Sequence, residues 1–95
     1  AGEPLFVDFF APWCSTCRTQ ERHVEAIRAE NPAYDAAMSF IRVDWDTYGT
    51  GELAQSLQIP RRSTLVLLRG ETELGRIVVG TSRSAIQELM DLGLG

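Results

Sequence analysis

The 95-residue sequence has no long apolar segment, no excess of basic residues and only two cysteines. No apolar run approaches the roughly 20 residues that a membrane-spanning helix needs, so we predict no membrane insertion. Nine Lys and Arg residues against 13 Asp and Glu residues give a net charge of −4, which argues against a nucleic-acid partner or a general membrane-surface binder. Residues 1–4 have no signal-peptide character. Repeats, linkers and low-complexity segments are also absent, so residues 1–95 are predicted to form a single domain.

The two cysteines, Cys14 and Cys17, are separated by two residues, a spacing that allows three interpretations. A structural zinc site usually needs four ligands, and His23 is the only further soft ligand that the chain offers. A structural disulfide that closes so short a loop would constrain the unfolded chain very little. The spacing therefore favours redox chemistry by a dithiol.

The dithiol falls where an apolar run gives way to a polar segment with helical spacing. Residues 4–10 predict a buried strand, and a helix is predicted from Cys14 or Ser15 to about Glu30. A cysteine at such a helix start lies among unpaired N–H groups at the positive end of the helix dipole, which favours its nucleophilic thiolate. Cys17 follows about one helical turn later on nearly the same face, within reach of a disulfide.

One acid, Asp8, lies inside the first apolar run. If its side chain is buried, the carboxylate must be paired or must have a raised pKa, because burying an unpaired charge is costly. If the side chain instead faces solvent, no partner is needed. The residue spacing by itself leaves both alternatives open.

The remaining pattern predicts a second strand over residues 38–43, a turn over 47–51, a short helix over 52–57, a third strand over 64–68 and a fourth over 74–79. A polar, alanine-rich connection precedes the second strand. Ser82 or Ser84 is expected to cap a last helix. A crossover helix makes the first two strands parallel, and a hairpin at Gly70 makes the last two antiparallel. We therefore predict an α/β fold, a mixed four-stranded sheet covered by helices, with the third strand central and the fourth at an edge.

The chain resembles the thioredoxin family over essentially its full length, and several segments carry the resemblance. They are Val7-Asp8-Phe9, Ala11-Pro12-Trp13-Cys14-x-x-Cys17, Val43-Asp44 with Asp46, Thr64-Leu65, and Gly80. The Ala-Pro-Trp-Cys sequence also resembles the active-site motif of protein disulfide isomerases. Residues 2–9 resemble the corresponding segment of thioredoxin-like reductase domains of bacterial envelopes. The resemblance implies a thioredoxin-like fold that lacks the usual N-terminal strand and helix.

The same resemblance implies a role for each matched residue. Cys14 is the attacking nucleophile, Cys17 is the buried resolving thiol, and Asp8 is the buried acid that helps to move the Cys17 proton. Arg42 falls where the family often has a lysine paired to that acid. Trp13 is expected beside the dithiol as a surface for the substrate, although a tryptophan at a helix start can also be only a core residue.

One position departs from the family pattern. The family has a cis-proline before the Thr-Leu of the third strand, where this chain has Ser63, unless the alignment is shifted. A non-proline cis peptide costs about 2.5–4 kcal/mol, so we expect a trans, reshaped loop or a strained one. Pro60 cannot substitute, because the shift would move Thr64 out of register. The resemblance places Ser63 and Thr64 in the substrate-binding region.

Arg61 and Arg62 precede that position. The resemblance places them beside Cys14, where a guanidinium would lower the thiol pKa, and Arg62 would favour acidic segments of a substrate. The alternative is a solvated loop charge without a functional role.

The predicted function is thiol–disulfide exchange with a disulfide-containing protein, as a reductant or electron carrier that an upstream thiol reductant regenerates. No cofactor is expected, and the chain is expected to act as a monomer. Two alternatives use the same fold: a dimer that binds a metal or iron–sulfur cluster through both cysteines, in the room opened at Ser63, and a non-catalytic interaction module. The compartment stays open between cytoplasm and bacterial periplasm, with residues 2–9 favouring the periplasm.

Overall fold

The computed structural model describes residues 3–94. Residues 1, 2 and 95 lie outside the described part, so the prediction that concerns residues 1–4 is not covered in full. Four strands form one mixed sheet in the order β2-β1-β3-β4. Their bounds are β1 Pro4–Phe10, β2 Ser39–Asp44, β3 Thr64–Arg69 and β4 Thr72–Val78. β1 is parallel to β2 and antiparallel to β3, which is antiparallel to β4. The α/β fold class is confirmed.

The described residues contain five helices, of which two were not predicted. The helices are α1 Ser15–Glu30, α2 Ala33–Ala37, α3 Trp45–Tyr48, α4 Glu52–Ser56 and α5 Arg83–Asp91. The alanine-rich connection forms α2, since alanine has a high helix propensity. Helix α3 overlaps the predicted turn, and the Asp44 side chain caps it by accepting from the Asp46 N–H at 3.0 Å. Both are too short to show a helical period in the sequence.

The two inner strands separate two apolar layers. β1 and β3 are buried on both faces, as expected for central strands. On one face the core joins the sheet to α1, α2 and α5, and on the other to α3 and α4. Phe6 lies in the first layer, whereas Val7 and Phe9 lie in the second. Asp8 follows the same alternation and lies on the α1 side, in a cleft that Val24 also lines.

The last strand begins and ends earlier than the predicted residues 74–79. Thr72 pairs with Arg69 in the hairpin, so the strand begins there despite its polar start. Val79 has left the strand with a φ of +58°, and its N–H donates to the Ser63 carbonyl at 2.8 Å.

Ser82 caps α5 by accepting from the Ala85 N–H at 3.3 Å. Within residues 3–94 no helix is long and apolar enough to cross a membrane.

Candidate active site

Cys14 is the residue immediately before the first helical residue of α1. Its N–H donates to the Ala11 carbonyl at 3.1 Å, which closes the turn after β1. Its Sγ accepts a hydrogen bond of 3.2 Å from the Cys17 N–H, so the thiol itself caps the helix. A sulfur in this position lies at the positive end of the helix dipole, where a thiolate is stabilised.

Ser63 brings a hydroxyl group to both sulfurs. Its Oγ lies 3.1 Å from Cys14 Sγ and 3.0 Å from Cys17 Sγ. All three residues are buried and both thiols are free, without a disulfide between them. The two sulfurs therefore share one buried hydrogen-bonding group.

The two thiols differ in acidity. Burial opposes ionisation of Cys14, but hydrogen bonds from Cys17 and Ser63 outweigh it and lower the pKa of Cys14 to about 7. Burial raises the pKa of Cys17, and its hydrogen bond to Cys14 raises it further. At neutral pH the pair therefore holds a substantial fraction of thiolate on Cys14 and a proton on Cys17, which is the division of roles that exchange requires.

The backbone at Ser63 is both trans and strained. All peptide bonds of the described residues are trans, and Ser63 has a φ of +63°, in the left-handed region that favours glycine. The surrounding structure holds this conformation: the Ser63 N–H donates to the Phe9 carbonyl at 2.8 Å, and its carbonyl accepts from the Val79 N–H at 2.8 Å. Both backbone groups are thus used within the protein.

Gln20 is a site residue that the sequence analysis missed. Its side chain is fully buried, and its Nε2 donates to the Ser63 carbonyl at 3.0 Å and to the Gly80 carbonyl at 2.9 Å. The amide therefore ties α1 to the Ser63 loop and to the segment after β4. A signal was present, because Gln20 is a polar residue in the apolar stripe between Cys17 and Val24.

Asp8 is buried, with only 6% of its surface exposed, which decides between the two alternatives for this residue. Arg42 Nε lies 3.5 Å from Asp8 Oδ2, and Arg42 Nη2 lies 2.8 Å from Glu21 Oε2. Burial raises the pKa of Asp8 to about 6, because its effect is larger than that of the Arg42 charge, which lowers the pKa. Asp8 and Cys17 line two neighbouring clefts that share Glu21 and Arg42.

Trp13 and Arg62 form the solvent side of the site. Trp13 is 58% exposed, so it is not a core residue. Its indole N–H donates to Asp46 Oδ2 at 2.8 Å, and the Arg62 guanidinium lies 4.2 Å above its ring. Arg62 is also close enough to Cys14 to contribute to the lowered pKa of that thiol, after the larger effects of burial, Cys17 and Ser63.

Thr64 is the second residue, after Ser63, that the resemblance places in the substrate-binding region. The residue is fully buried, and its Oγ1 donates to the Arg61 carbonyl at 2.7 Å. Its backbone pairs with Phe9 on one side and with Val78 on the other. These contacts fix the loop before β3.

A metal site would need ligands beyond those that this chain brings together. In residues 3–94 no group of three or more His, Cys, Asp or Glu side chains is arranged to hold a metal ion. Cys14 and Cys17 would provide two ligands, and a metal or cluster would require the others from a second chain.

A dithiol at the junction between a central strand and the helix that follows it, with the pKa of one thiol lowered and that of the other raised, is the arrangement of a thiol–disulfide oxidoreductase. Comparison with known proteins gives the family. The thioredoxin family model matches residues 1–92, and the chain belongs to the thioredoxin family. The family prediction from the sequence is thereby confirmed, and with it the enzyme class of thiol–disulfide oxidoreductase.

Individual relatives agree with this assignment. Thioredoxin of Echinococcus granulosus is 30% identical over 90 residues, which cover 94% of this chain and 78% of that protein. The bifunctional thioredoxin reductase/thioredoxin of Mycobacterium leprae is 28% identical over 93 residues, 97% of this chain and 19% of that protein. The crystal structure of Trxlp from Edwardsiella tarda EIB202 superposes with a TM-score of 0.79 at 33% identity, covering 94% of this chain and 84% of that one.

Proposed function

We propose that the chain reduces disulfides in partner proteins. The Cys14 thiolate attacks one sulfur of the partner disulfide, and the other partner sulfur leaves as a thiolate. Cys17 then loses its proton and attacks Cys14 Sγ, which releases the second partner thiolate. Two electrons pass from the dithiol to the partner, and the chain is left with a Cys14–Cys17 disulfide.

In this proposal Asp8 accepts the Cys17 proton. A pKa of about 6 for Asp8 makes the carboxyl a stronger base than an ordinary aspartate, while it is still mostly ionised at neutral pH. The clefts of Asp8 and Cys17 meet at Glu21 and Arg42, which supports a short path for the proton. The raised pKa of Cys17 explains why the resolving step needs a base.

The lowered pKa of Cys14 supports the proposed direction of electron flow. Its pKa of about 7 matches the value of about 7 for reducing thioredoxins, whereas strongly oxidising relatives stabilise this thiolate to a pKa of about 3.5. A thiolate that is stabilised less than in those oxidising relatives makes the reduced, dithiol form less stable than theirs. The pair therefore gives up its electrons more readily than theirs does. This single observation favours a reductant over an oxidant.

The partner is proposed to lie against Trp13 and Arg62. Trp13 offers an exposed aromatic face, and Arg62 adds a cation beside Cys14. Such a surface favours a disulfide with acidic or apolar neighbours. The chain would act as a monomer, because one copy holds both thiols and the acid. Regeneration by an upstream thiol reductant fits the M. leprae relative, whose name joins a thioredoxin reductase to a thioredoxin.

The experiment that tests the proposal combines a reduction potential with a protein-disulfide assay. The dithiol is equilibrated against glutathione and dithiothreitol buffers, and insulin reduction is followed with Cys14→Ser and Cys17→Ser variants as controls. We expect a two-electron transition near −270 mV, on the order of the thioredoxin value, and activity that both substitutions abolish. A potential near about −120 mV would reverse the direction, and a wild-type chain inactive on insulin would favour the interaction module.

A further inference from the structure

The Ser63 hydroxyl has a single proton and two acceptors at nearly equal distance. Its Oγ lies 3.1 Å from Cys14 Sγ and 3.0 Å from Cys17 Sγ, and either atom of each pair can be the donor. We propose that Ser63 is a catalytic residue whose hydroxyl turns between the two sulfurs, donating to Cys14 before the attack and to Cys17 after it. The proposal rests on the exchange reaction proposed above and names a further participant in it.

The direction of the hydrogen bond follows the negative charge. A hydrogen bond to an ionised acceptor is roughly twice as strong as one between neutral groups, so the hydroxyl donates to whichever sulfur is the thiolate. In the dithiol state that sulfur is Cys14, while Cys17 Sγ lies 3.0 Å from the same oxygen. The single hydroxyl is thus within hydrogen-bond distance of both sulfurs before the reaction begins.

After the attack the acceptor changes. Cys14 Sγ is then bonded to the partner sulfur and carries no charge, and the charge appears on Cys17 when its proton leaves to Asp8 or solvent. Rotation about the Cβ–Oγ bond turns the hydroxyl to the Cys17 thiolate. Ser63 keeps its own proton throughout, so electrons and protons balance as in the exchange reaction itself.

The backbone around Ser63 is fixed strongly enough to hold the hydroxyl in place. Three hydrogen bonds secure it: one from its N–H to Phe9, and two to its carbonyl from Val79 and Gln20. These contacts also maintain the φ of +63°. Gln20 is therefore a positioning residue, since it reaches the sulfurs only through Ser63. A proline, which the family has here, offers no hydroxyl for this role.

The test measures each thiol in a protein where the other is absent. Ser63→Ala is introduced into Cys17→Ala and, separately, into Cys14→Ala, and the remaining thiolate is titrated by its ultraviolet absorbance. We expect the pKa of each remaining thiol to rise by about one unit, because each thiolate loses a charge-assisted hydrogen bond. The charged groups around the pair stay unchanged: Asp8, Arg18, Glu21, Arg42 and Arg62.

A second substitution separates the hydroxyl from the backbone strain. Ser63→Gly also removes the hydroxyl, but glycine adopts a positive φ without cost. We expect the same two shifts in pKa as for Ser63→Ala. Shifts that appear only with alanine would arise from the backbone, and the proposal would be wrong. A shift at Cys14 without one at Cys17 would also refute it, because the hydroxyl would then serve one step only.

Gln20→Met tests the positioning role, and the matched control is Gln87→Met on α5, whose side-chain amide contacts the Tyr34 hydroxyl. We expect Gln20→Met to raise the Cys14 pKa by less than Ser63→Ala does, and Gln87→Met to leave it unchanged. Equal effects of the two methionines would exclude a specific role for Gln20. These titrations involve no partner protein, so their failure is distinguishable from a failure of the insulin assay.

Discussion

Asp8 and Arg42 occupy directly paired positions on the adjacent parallel strands β1 and β2, and Arg42 Nε lies 3.5 Å from Asp8 Oδ2. The same guanidinium lies closer to Glu21, at 2.8 Å, and stacks on the Phe10 ring at 3.8 Å. Asp8 Oδ1 is buried without a hydrogen-bond partner. The cation therefore compensates the buried carboxylate only in part, which leaves it basic enough to accept a proton near neutral pH.

Asp8 is predicted to reduce the stability of the fold at neutral and alkaline pH. Its folded pKa of about 6 exceeds the ordinary value of 3.8, so the folded state holds a proton that the unfolded state has lost between these values. The free energy of unfolding should then decrease as the pH rises from about 4 through about 6. We expect Asp8→Asn to stabilise the fold by up to about 3 kcal/mol at pH 8 and little at pH 4.

Urea denaturation of both proteins at the two pH values checks this prediction. Insulin reduction by Asp8→Asn should decrease at the same time, because the asparagine cannot accept the Cys17 proton. Equal stabilisation at pH 4 and pH 8 would instead indicate a packing effect that has nothing to do with ionisation.

Glu21 is predicted to keep the pKa of Asp8 high. It holds Arg42 at 2.8 Å, and its own negative charge opposes ionisation of Asp8. We expect Glu21→Gln to lower the Asp8 pKa, since both effects disappear together. The carboxyl carbon shift of Asp8, followed by NMR across pH, measures this directly. Glu25→Gln is the control, as an exposed glutamate one turn further along α1, and a larger effect there would contradict the prediction.

Arg62 is predicted to acidify Cys14, whereas Arg61 is not. Arg62 lies against Trp13 and contributes to the lowered pKa of Cys14, while Arg61 is exposed. We expect Arg62→Ala to raise the Cys14 pKa by less than about one unit and Arg61→Ala to leave it unchanged. The midpoint of the pH profile of iodoacetamide alkylation reports the pKa. The plateau rate is not used, because it depends on access to the sulfur as well as on its pKa.

Trp13 is predicted to act in binding more than in chemistry. We expect Trp13→Ala to raise KM for a protein disulfide by about tenfold, because it removes the exposed aromatic face. Trp13→Phe retains a ring for Arg62 but loses the hydrogen bond to Asp46, so its effect should be smaller. A small disulfide reagent should be reduced by all three proteins at similar rates. If both substitutions lower kcat for the small reagent equally, Trp13 affects the dithiol itself.

The local features of the site were predictable because they depend on neighbouring residues. The apolar run, the cysteine spacing and the polar segment after it are sufficient to predict β1, α1 and the position of Cys14 before the first helical residue. The resemblance added roles for Asp8 and for the loop at Ser63. It also suggested a substrate contact for Thr64, whose burial and internal hydrogen bond the sequence did not predict.

By itself, then, the sequence determined the fold class, the dithiol and its placement at a strand-to-helix junction, because helix period, strand alternation and C-x-x-C spacing are short-range properties. Only the tertiary structure decided that Asp8 is buried, that Gln20 holds the Ser63 carbonyl and that the Ser63 hydroxyl lies between the sulfurs. Ser63 is 49 residues from Cys14 along the chain. Pairing of β3 with β1 brings the two together, and the hydrogen bonds of the folded sheet then set the exact direction of a side chain that no local pattern specifies.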